Sequence, residues 1–290
     1  MFGKKRREKQ IFDGNNYQKS PVVVRTIPEI ITCKYSATGN REYQQDAVYV
    51  SGGKKIAANR KTRVMAAVCD GMGGMADGGR ASFTAIEMLK SGFEKIEKDS
   101  NVNIPLFFRS GIKAIDRVIH DFPNESGKGS GTTMVAVITE ENYLYWASVG
   151  DSRIYLLRGD RIELVTRDHN YYLKLMQMVK NGQMTREEAE QQRQKEALIS
   201  FLGIGNVSLM DVIDKPFEMQ PGDMVLLCSD GVTKTLSRDR IKMILKNEAV
   251  SMQKKAEILV EAAVRENTHS QDNTSVALLQ YVETKITKER

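Results

Sequence analysis

Four aspartates carry most of the chemical potential of this chain. Asp46, Asp70, Asp230 and Asp272 each stand at the end of an apolar run, two of them in near-copies reading Val-Cys-Asp70-Gly71 and Leu-Cys-Ser-Asp230-Gly231. Two like charges about 4 Å apart repel by roughly 4 kcal/mol at an effective dielectric near 20. If strands gather these carboxylates, the cluster needs cations or protons. Hard divalent ions such as Mg2+ and Mn2+ prefer oxygen ligands, and a bridged pair of them is suited to displacement at phosphorus. Taken singly, each Asp has a plainer reading as a turn residue, a part that Asp-Gly plays well.

Other motifs surround these four. Arg41 precedes Asp46 in Thr-Gly-Asn-Arg41-Glu-Tyr-Gln-Gln45-Asp46, where a guanidinium could hold a phosphate bidentately while the carboxylates hold metal. Gly71, Gly73 and Gly74 let the backbone approach a bound ion, so the Gly71 carbonyl is a further candidate ligand. The outline Gly71-x-Gly73-x-x-Ala76 also resembles a dinucleotide fingerprint. Asp70 would there place negative charge beside a pyrophosphate, which argues against it. Ser130-Gly-Thr-Thr133 lacks the P-loop spacing and reads as a strand start. Gly150-Asp151-Ser152-Arg153 reads as a tight hairpin between two strands, with Asp151 a weaker metal candidate.

Thiol and imidazole chemistry fit less well. None of Cys33, Cys69 and Cys228 is followed six residues later by an arginine, as a Cys-nucleophile phosphatase loop requires; Gly39, Met75 and Lys234 stand there. Their odd number and apolar settings predict reduced, buried thiols in a cytoplasmic protein. His120, His169 and His269 are too scattered for a zinc set, and structural roles are expected for all three.

The elements that must position these residues follow from periodicity. Strands are predicted at Ile30 to Tyr35, Ala47 to Val50, Val64 to Cys69, Thr132 to Thr139, Tyr143 to Val149, Arg153 to Leu157, Arg161 to Val165, Met224 to Cys228 and Thr274 to Val282. Their close spacing predicts antiparallel pairing. Ile86, Leu89, Phe93 and Ile96 mark one amphipathic helix, and Phe108, Ile112, Ile115 and Ile119 a second. Helices are also predicted near Asp239 to Leu245 and Ser251 to Ala263. Between the strand blocks, Asn170 to Gly205 is a polar excursion. It holds a helix from Leu173 to Val179 that stops at Asn181-Gly182, then a capping box from Thr185 to Glu188 for another.

At 290 residues, 41% hydrophobic and 28% charged, the chain suits one large soluble domain. Its apolar stretches are too short to span a bilayer, and no secretory signal is visible. The net charge of +6 is concentrated in Lys4, Lys5, Arg6, Arg7 and Lys9, a solvated arm rather than a nucleic-acid surface.

In chain order, Arg41-x-x-x-x-Asp46, Asp70-Gly-Met-Gly-Gly74, Ser130-Gly-Thr-Thr133, Gly150-Asp-Ser-Arg153, Asp168-His169, Ser229-Asp230-Gly231 and Asp272-Asn273 resemble the motif series of the metal-dependent protein phosphatases of the 2C type. The resemblance runs from about Ile30 to Val282. It implies an α+β fold, a central β-sandwich of two antiparallel sheets flanked by helices on both sides (four-layer αββα), with a small helical flap. It implies a basic arm over 1–20, a catalytic domain over 21–285 with the flap at about 170–205, and a tail over 286–290. Two Mn2+ or Mg2+ ions would be held, Asp70 bridging them, the Gly71 carbonyl on one, Asp230 and Asp272 on the other, and Asp46 direct or through water. Asp151 would support a third, weaker metal and Arg41 would bind phosphate. The implied reaction is hydrolysis of phosphoserine and phosphothreonine by a metal-bridging hydroxide, in a monomer whose partners are phosphoproteins and a cognate Ser/Thr kinase. A catalytically silent regulatory member is the alternative. Two departures stand out: Gln45 replaces a Glu of many eukaryotic members, and Met72 a histidine, which points to the bacterial type.

Overall fold

The computed structural model describes residues 23–56, 61–73, 77–99, 101–123, 129–266 and 269–288. The basic arm expected over 1–20 and Gly74 lie outside the described residues. In chain order the elements are β1 (Val23–Ala37), β2 (Asp46–Val50), β3 (Lys54–Lys55), β4 (Arg63–Met72), α1 (Asp77–Ile96), α2 (Ile104–His120), β5 (Gly131–Thr132), β6 (Met134–Glu140), β7 (Tyr143–Val149), β8 (Arg153–Arg158), β9 (Arg161–Leu164), α3 (Tyr171–Lys180), α4 (Arg186–Glu190), β10 (Asp211–Val212), β11 (Phe217–Glu218), β12 (Met224–Cys228), α5 (Asp230–Thr233), α6 (Arg238–Leu245), α7 (Met252–Glu266) and β13 (Thr274–Lys288).

The strands form two antiparallel sheets, ordered β3-β1-β13-β12-β8-β9 and β10-β7-β6-β4-β2, with β11 also on β7 and β5 on β4. Alternation along each strand sorts its side chains into layers. In β4, Val64, Ala66 and Val68 pack between the sheets with Val225, Leu227, Ala277 and Leu279. Its other face, Met65, Ala67 and Cys69, packs on α1 and α2 through Ile86, Leu89, Phe93, Phe108 and Ile112. On the far side, Leu226, Cys228, Val276 and Leu278 turn outward onto Ile241, Leu245, Leu259 and Val260 of α6 and α7. Strands buried on both faces read as unbroken apolar runs, and the product is the four-layer αββα sandwich.

The hairpin expected at Gly150-Asp151-Ser152-Arg153 is not one. β7 belongs to one sheet and β8 to the other, so this segment crosses between them. Gly150 makes the crossing at φ +98°, where an added Cβ would lie 2.7 Å from the Thr133 side chain. His169 holds it from both sides: its backbone N–H donates to Gly150 O (2.9 Å), and its Nδ1 accepts from Gly150 N (3.2 Å). The second flap helix is also shorter than its polar sequence suggests, although the Thr185–Glu188 capping box is present.

The flap returns to the body by its own backbone. Ile199 N donates to His169 O (2.9 Å), and Thr132 and Leu202 exchange hydrogen bonds of 3.0 and 2.9 Å. Beyond this, buried Asp116 of α2 accepts the backbone N–H groups of Gly203 (2.8 Å), Gly205 (3.1 Å) and Val207 (3.0 Å). Asp116→Ala would strand these donors, and hydrogen bonds to a charged group are worth about 1.5–3 kcal/mol each. The variant should lose about 2–4 kcal/mol in urea denaturation, with amide exchange accelerating first at residues 203–207. Exchange there at the wild-type rate would remove the clamp from the account.

Candidate active site

Asp46 opens β2 and sits directly opposite Asp70 of β4 in the strand register. Because β4 continues to Met72 and pairs onward with β5, Asp70-Gly71 is extended strand and the turn reading fails for it. Asp230 begins α5 after Ser229, and Asp272 lies just before β13. The two sheets meet here through Ser229. Its Oγ donates to Asp46 Oδ2 (2.8 Å) and accepts from Ser275 N (3.0 Å), so the open end of the sandwich is pinned beside the carboxylates.

The loop bearing Arg41 is held by Asn273, whose Oδ1 accepts from Gln45 N (2.7 Å) and whose Nδ2 donates to Thr38 O (2.8 Å) and Tyr43 O (3.1 Å). Arg41 Nη2 then reaches Asp272 Oδ2 at 2.7 Å. Gly71 is required by closeness: its N–H donates to Gln45 O (3.1 Å), and a Cβ would fall 2.1 Å from Gly78 O and 2.5 Å from Gln45 O. The Asp70 main chain is fixed by Thr133, whose Oγ1 accepts from Asp70 N (3.0 Å) and meets Ser152 Oγ at 2.7 Å.

These residues surround a cavity of about 300 Å³ whose wall includes Arg41, Asp70, Gly71, Asp151, Asp230 and Asp272. All of the candidate residues except Asp46 therefore reach it, with Asp46 buried directly behind. Flap residues Glu196 and Leu198 close one side. An adjoining groove of about 620 Å³ runs between body and flap past Asp168, Tyr172, Glu190 and Lys195. The histidines stay out of the cavity wall: His169 is fully buried and His120 Nδ1 contacts Gly203 O at 3.3 Å.

The electrostatics are those of crowded carboxylates. Burial pushes Asp46 up, the Ser229 hydroxyl partly offsetting it and Asp230 and Asp272 adding to it. Asp70 is held well above the usual carboxylate range by burial first, then by Asp46, Asp230, Asp151 and Asp272. Asp151 is pushed up to about 6 by burial and by Asp230. Buried Asp46 Oδ1 and Asp230 Oδ1 have no hydrogen-bond partner among the described residues. No group of three or more His, Cys, Asp or Glu side chains among the described residues is already gathered as a metal site, and the outer carboxylates are paired with cations of the protein, Asp272 with Arg41 and Asp230 with Lys234. Lys234 is the residue that sequence reasoning passed over. The signal was its position one helical turn after Asp230, where side chains share a face.

Three comparisons bear on this arrangement. The family profile described as Protein phosphatase 2C matches residues 35–267. Protein phosphatase PhpP of Streptococcus pneumoniae serotype 2 (strain D39) is 32% identical over 225 residues, 76% of this chain and 87% of the relative. Serine/threonine phosphatase stp of Listeria welshimeri serovar 6b is 29% identical over 78% of this chain and 87% of its own length. Among solved structures, the S. agalactiae serine/threonine phosphatase superposes with a TM-score of 0.72 at 27% identity, covering 87% of this chain and 99% of that one. The catalytic domain of the phosphatase PstP in complex with 2 manganese ions gives 0.66 at 26% identity, covering 88% and 99%. A profile spanning most of the sandwich, joined to these relatives, means that the chain belongs to the protein phosphatase 2C family.

Proposed function

We propose that this protein is a metal-dependent serine/threonine phosphatase that hydrolyses phosphoserine and phosphothreonine in proteins. The observation that carries the reading is a cavity of about 300 Å³ joining a guanidinium, Arg41, to a set of carboxylates that the protein does not fully neutralise. Buried, unpartnered carboxylate oxygens are costly unless a cation meets them, and Asp46 Oδ1 and Asp230 Oδ1 are such atoms. An all-oxygen donor set suits Mg2+ or Mn2+. In this reading Asp70, the Gly71 carbonyl, Asp230 and Asp272 would hold two such ions, Asp70 shared between them, with Asp46 contributing directly or through water. The 2 manganese ions of PstP support the number and the kind.

Bound ions of this class supply Lewis acidity and lower the pKa of attacking water. The remaining work belongs to the chain. Arg41 spends one donor on Asp272, which orients the planar fork and leaves its other donors for phosphate oxygens. Direct hydrolysis without a cysteinyl phosphoenzyme is supported by the thiols: burial pushes Cys33 up to about 11 and Cys228 up to about 12, and Cys69 is fully buried. Met72 on the cavity wall has no proton to give, so substrates with good leaving groups are favoured.

The catalytic domain is taken as residues 21–285, with the flap at 170–205. A cytoplasmic setting is supported by three free, buried cysteines. Phosphoproteins, including a cognate Ser/Thr kinase, are the proposed partners of a monomeric bacterial-type signalling enzyme.

Asp70→Asn should reduce hydrolysis of an aryl phosphate and a phosphothreonine peptide to background while circular dichroism stays native, and chelator should do the same to the wild type. Chelator-insensitive turnover would refute the mechanism. Arg41→Ala should raise KM about 10-fold or more, the loss of one charge-assisted phosphate contact, with a smaller effect on kcat; an unchanged KM would contradict its role. A pH effect follows as well. An acid whose folded pKa is raised binds more protons in the native than in the unfolded state, so stability falls as pH rises between the two values. For Asp46 that window runs from about 3.8 to about 7. The chelated protein should therefore lose Tm across it, Mn2+ should restore most at the neutral end, and Asp46→Asn should flatten the slope. A slope unchanged in Asp46→Asn would assign the effect elsewhere.

A further inference from the structure

The resemblance to phosphatases predicts a third, weaker metal at Asp151, but a lysine lines the same wall. Lys234 follows Asp230 by one helical turn, and its backbone N–H donates to Asp230 O at 2.8 Å. That spacing puts both side chains on one face, and the ammonium pairs with Asp230 Oδ2. Lys234, Asp151 and Asp230 together line both the carboxylate cavity and the adjoining groove. We propose that the ammonium of Lys234 is this protein's third cation, placed beside Asp151 and Asp230 so that the centre takes two divalent ions and not three.

The division of the Asp230 carboxylate supports this. One oxygen, Oδ2, is engaged by Lys234, whereas Oδ1 is buried and has no hydrogen-bond partner. The carboxylate can thus serve an ammonium on one side and a divalent ion on the other. Asp151 lines the same two walls as Lys234 and Asp230, so the ammonium is the protein's own cation nearest this part of the cluster. A divalent ion in the same place would be repelled by the ammonium and would have to displace it from Asp230. The Lys234 side chain is 55% exposed, its partial desolvation is outweighed by Asp230, Asp151 and Asp272, and it cannot be removed by low metal concentration. The same logic operates at Asp272, where Oδ2 meets Arg41.

The proposal rests on reading the cluster as a metal centre, and counting bound ions separates the two. Mn2+ would be titrated into the full chain at neutral pH, bound ions being counted by isothermal calorimetry and by loss of the free-ion electron paramagnetic resonance signal. The wild type should bind two. Lys234→Ala should gain a third, weaker site, Lys234→Ala/Asp151→Asn should return to two, and Lys234→Arg should remain at two. Lys234→Gln, closer in shape, replaces the alanine variant if that one does not fold by circular dichroism. Three ions in the wild type, with the third lost in Asp151→Asn, would overturn the proposal, as would two ions in every Lys234 variant. Binding of no Mn2+ at all would overturn the metal reading itself, and this proposal with it.

Discussion

Like charge at Asp46 and Asp70 is the constraint around which this end of the molecule is organised. The two stand on directly opposed positions of neighbouring strands, an arrangement that is destabilising in a sheet unless something else intervenes. Neither can move away. β4 is packed between the sheets on one face and against α1 and α2 on the other, and Asp46 is tied through Ser229 to the end of the opposite sheet. Apolar burial, worth roughly 1.5–3 kcal/mol for each large side chain, thus holds two carboxylates where electrostatics alone would separate them. Each carboxyl is instead held toward its protonated form, and an incoming cation takes the proton's place.

The outer carboxylates are treated differently. Asp272 and Asp230 lie on a loop and at a helix start rather than inside a strand, and each has a protein cation within reach, Arg41 and Lys234. The site is therefore graded, with fixed and uncompensated charge at the back and adjustable, partly compensated charge at the front. A guanidinium already oriented by Asp272 loses less freedom on meeting a phosphate than a free side chain would, which is the usual benefit of preorganised charge.

Much of this was legible in the sequence, for identifiable reasons. Unbroken apolar runs such as Val64 to Cys69 could only be strands covered on both faces, and the helical repeats from Ile86 to Phe93 and from Phe108 to Ile119 supplied one of the covers. Asp-Gly after two such runs marked the candidate site. What stayed hidden depends on contacts distant in sequence. Gly150 to Ser152 has the residues of a hairpin, and only the pairing partners of β7 and β8 make it a crossing between sheets. The two-residue strands β10 and β11 are too short to show a period. Lys234 looks like any surface lysine until the helix turn places it on Asp230, and Asn273 looks like a turn residue until its amide is seen holding the Arg41 loop.

The flap completes the division of labour. Its helices bury little, Leu175 from α3 and Ala189 from α4, so it has scant core of its own and is positioned by its margins: the Asn170–Leu198 bridge, the Thr132–Leu202 pair and the grip of Asp116 on residues 203–207. Its inward residues are Glu196 and Leu198 at the cavity and Tyr172, Glu190 and Lys195 along the groove. On the proposed function, changes at these positions would alter which polypeptide fits. A segment with weak internal packing tolerates such change best. On the proposed function, the fold keeps its charge in the sandwich, where the backbone cannot yield, and its selectivity in the flap, where it can.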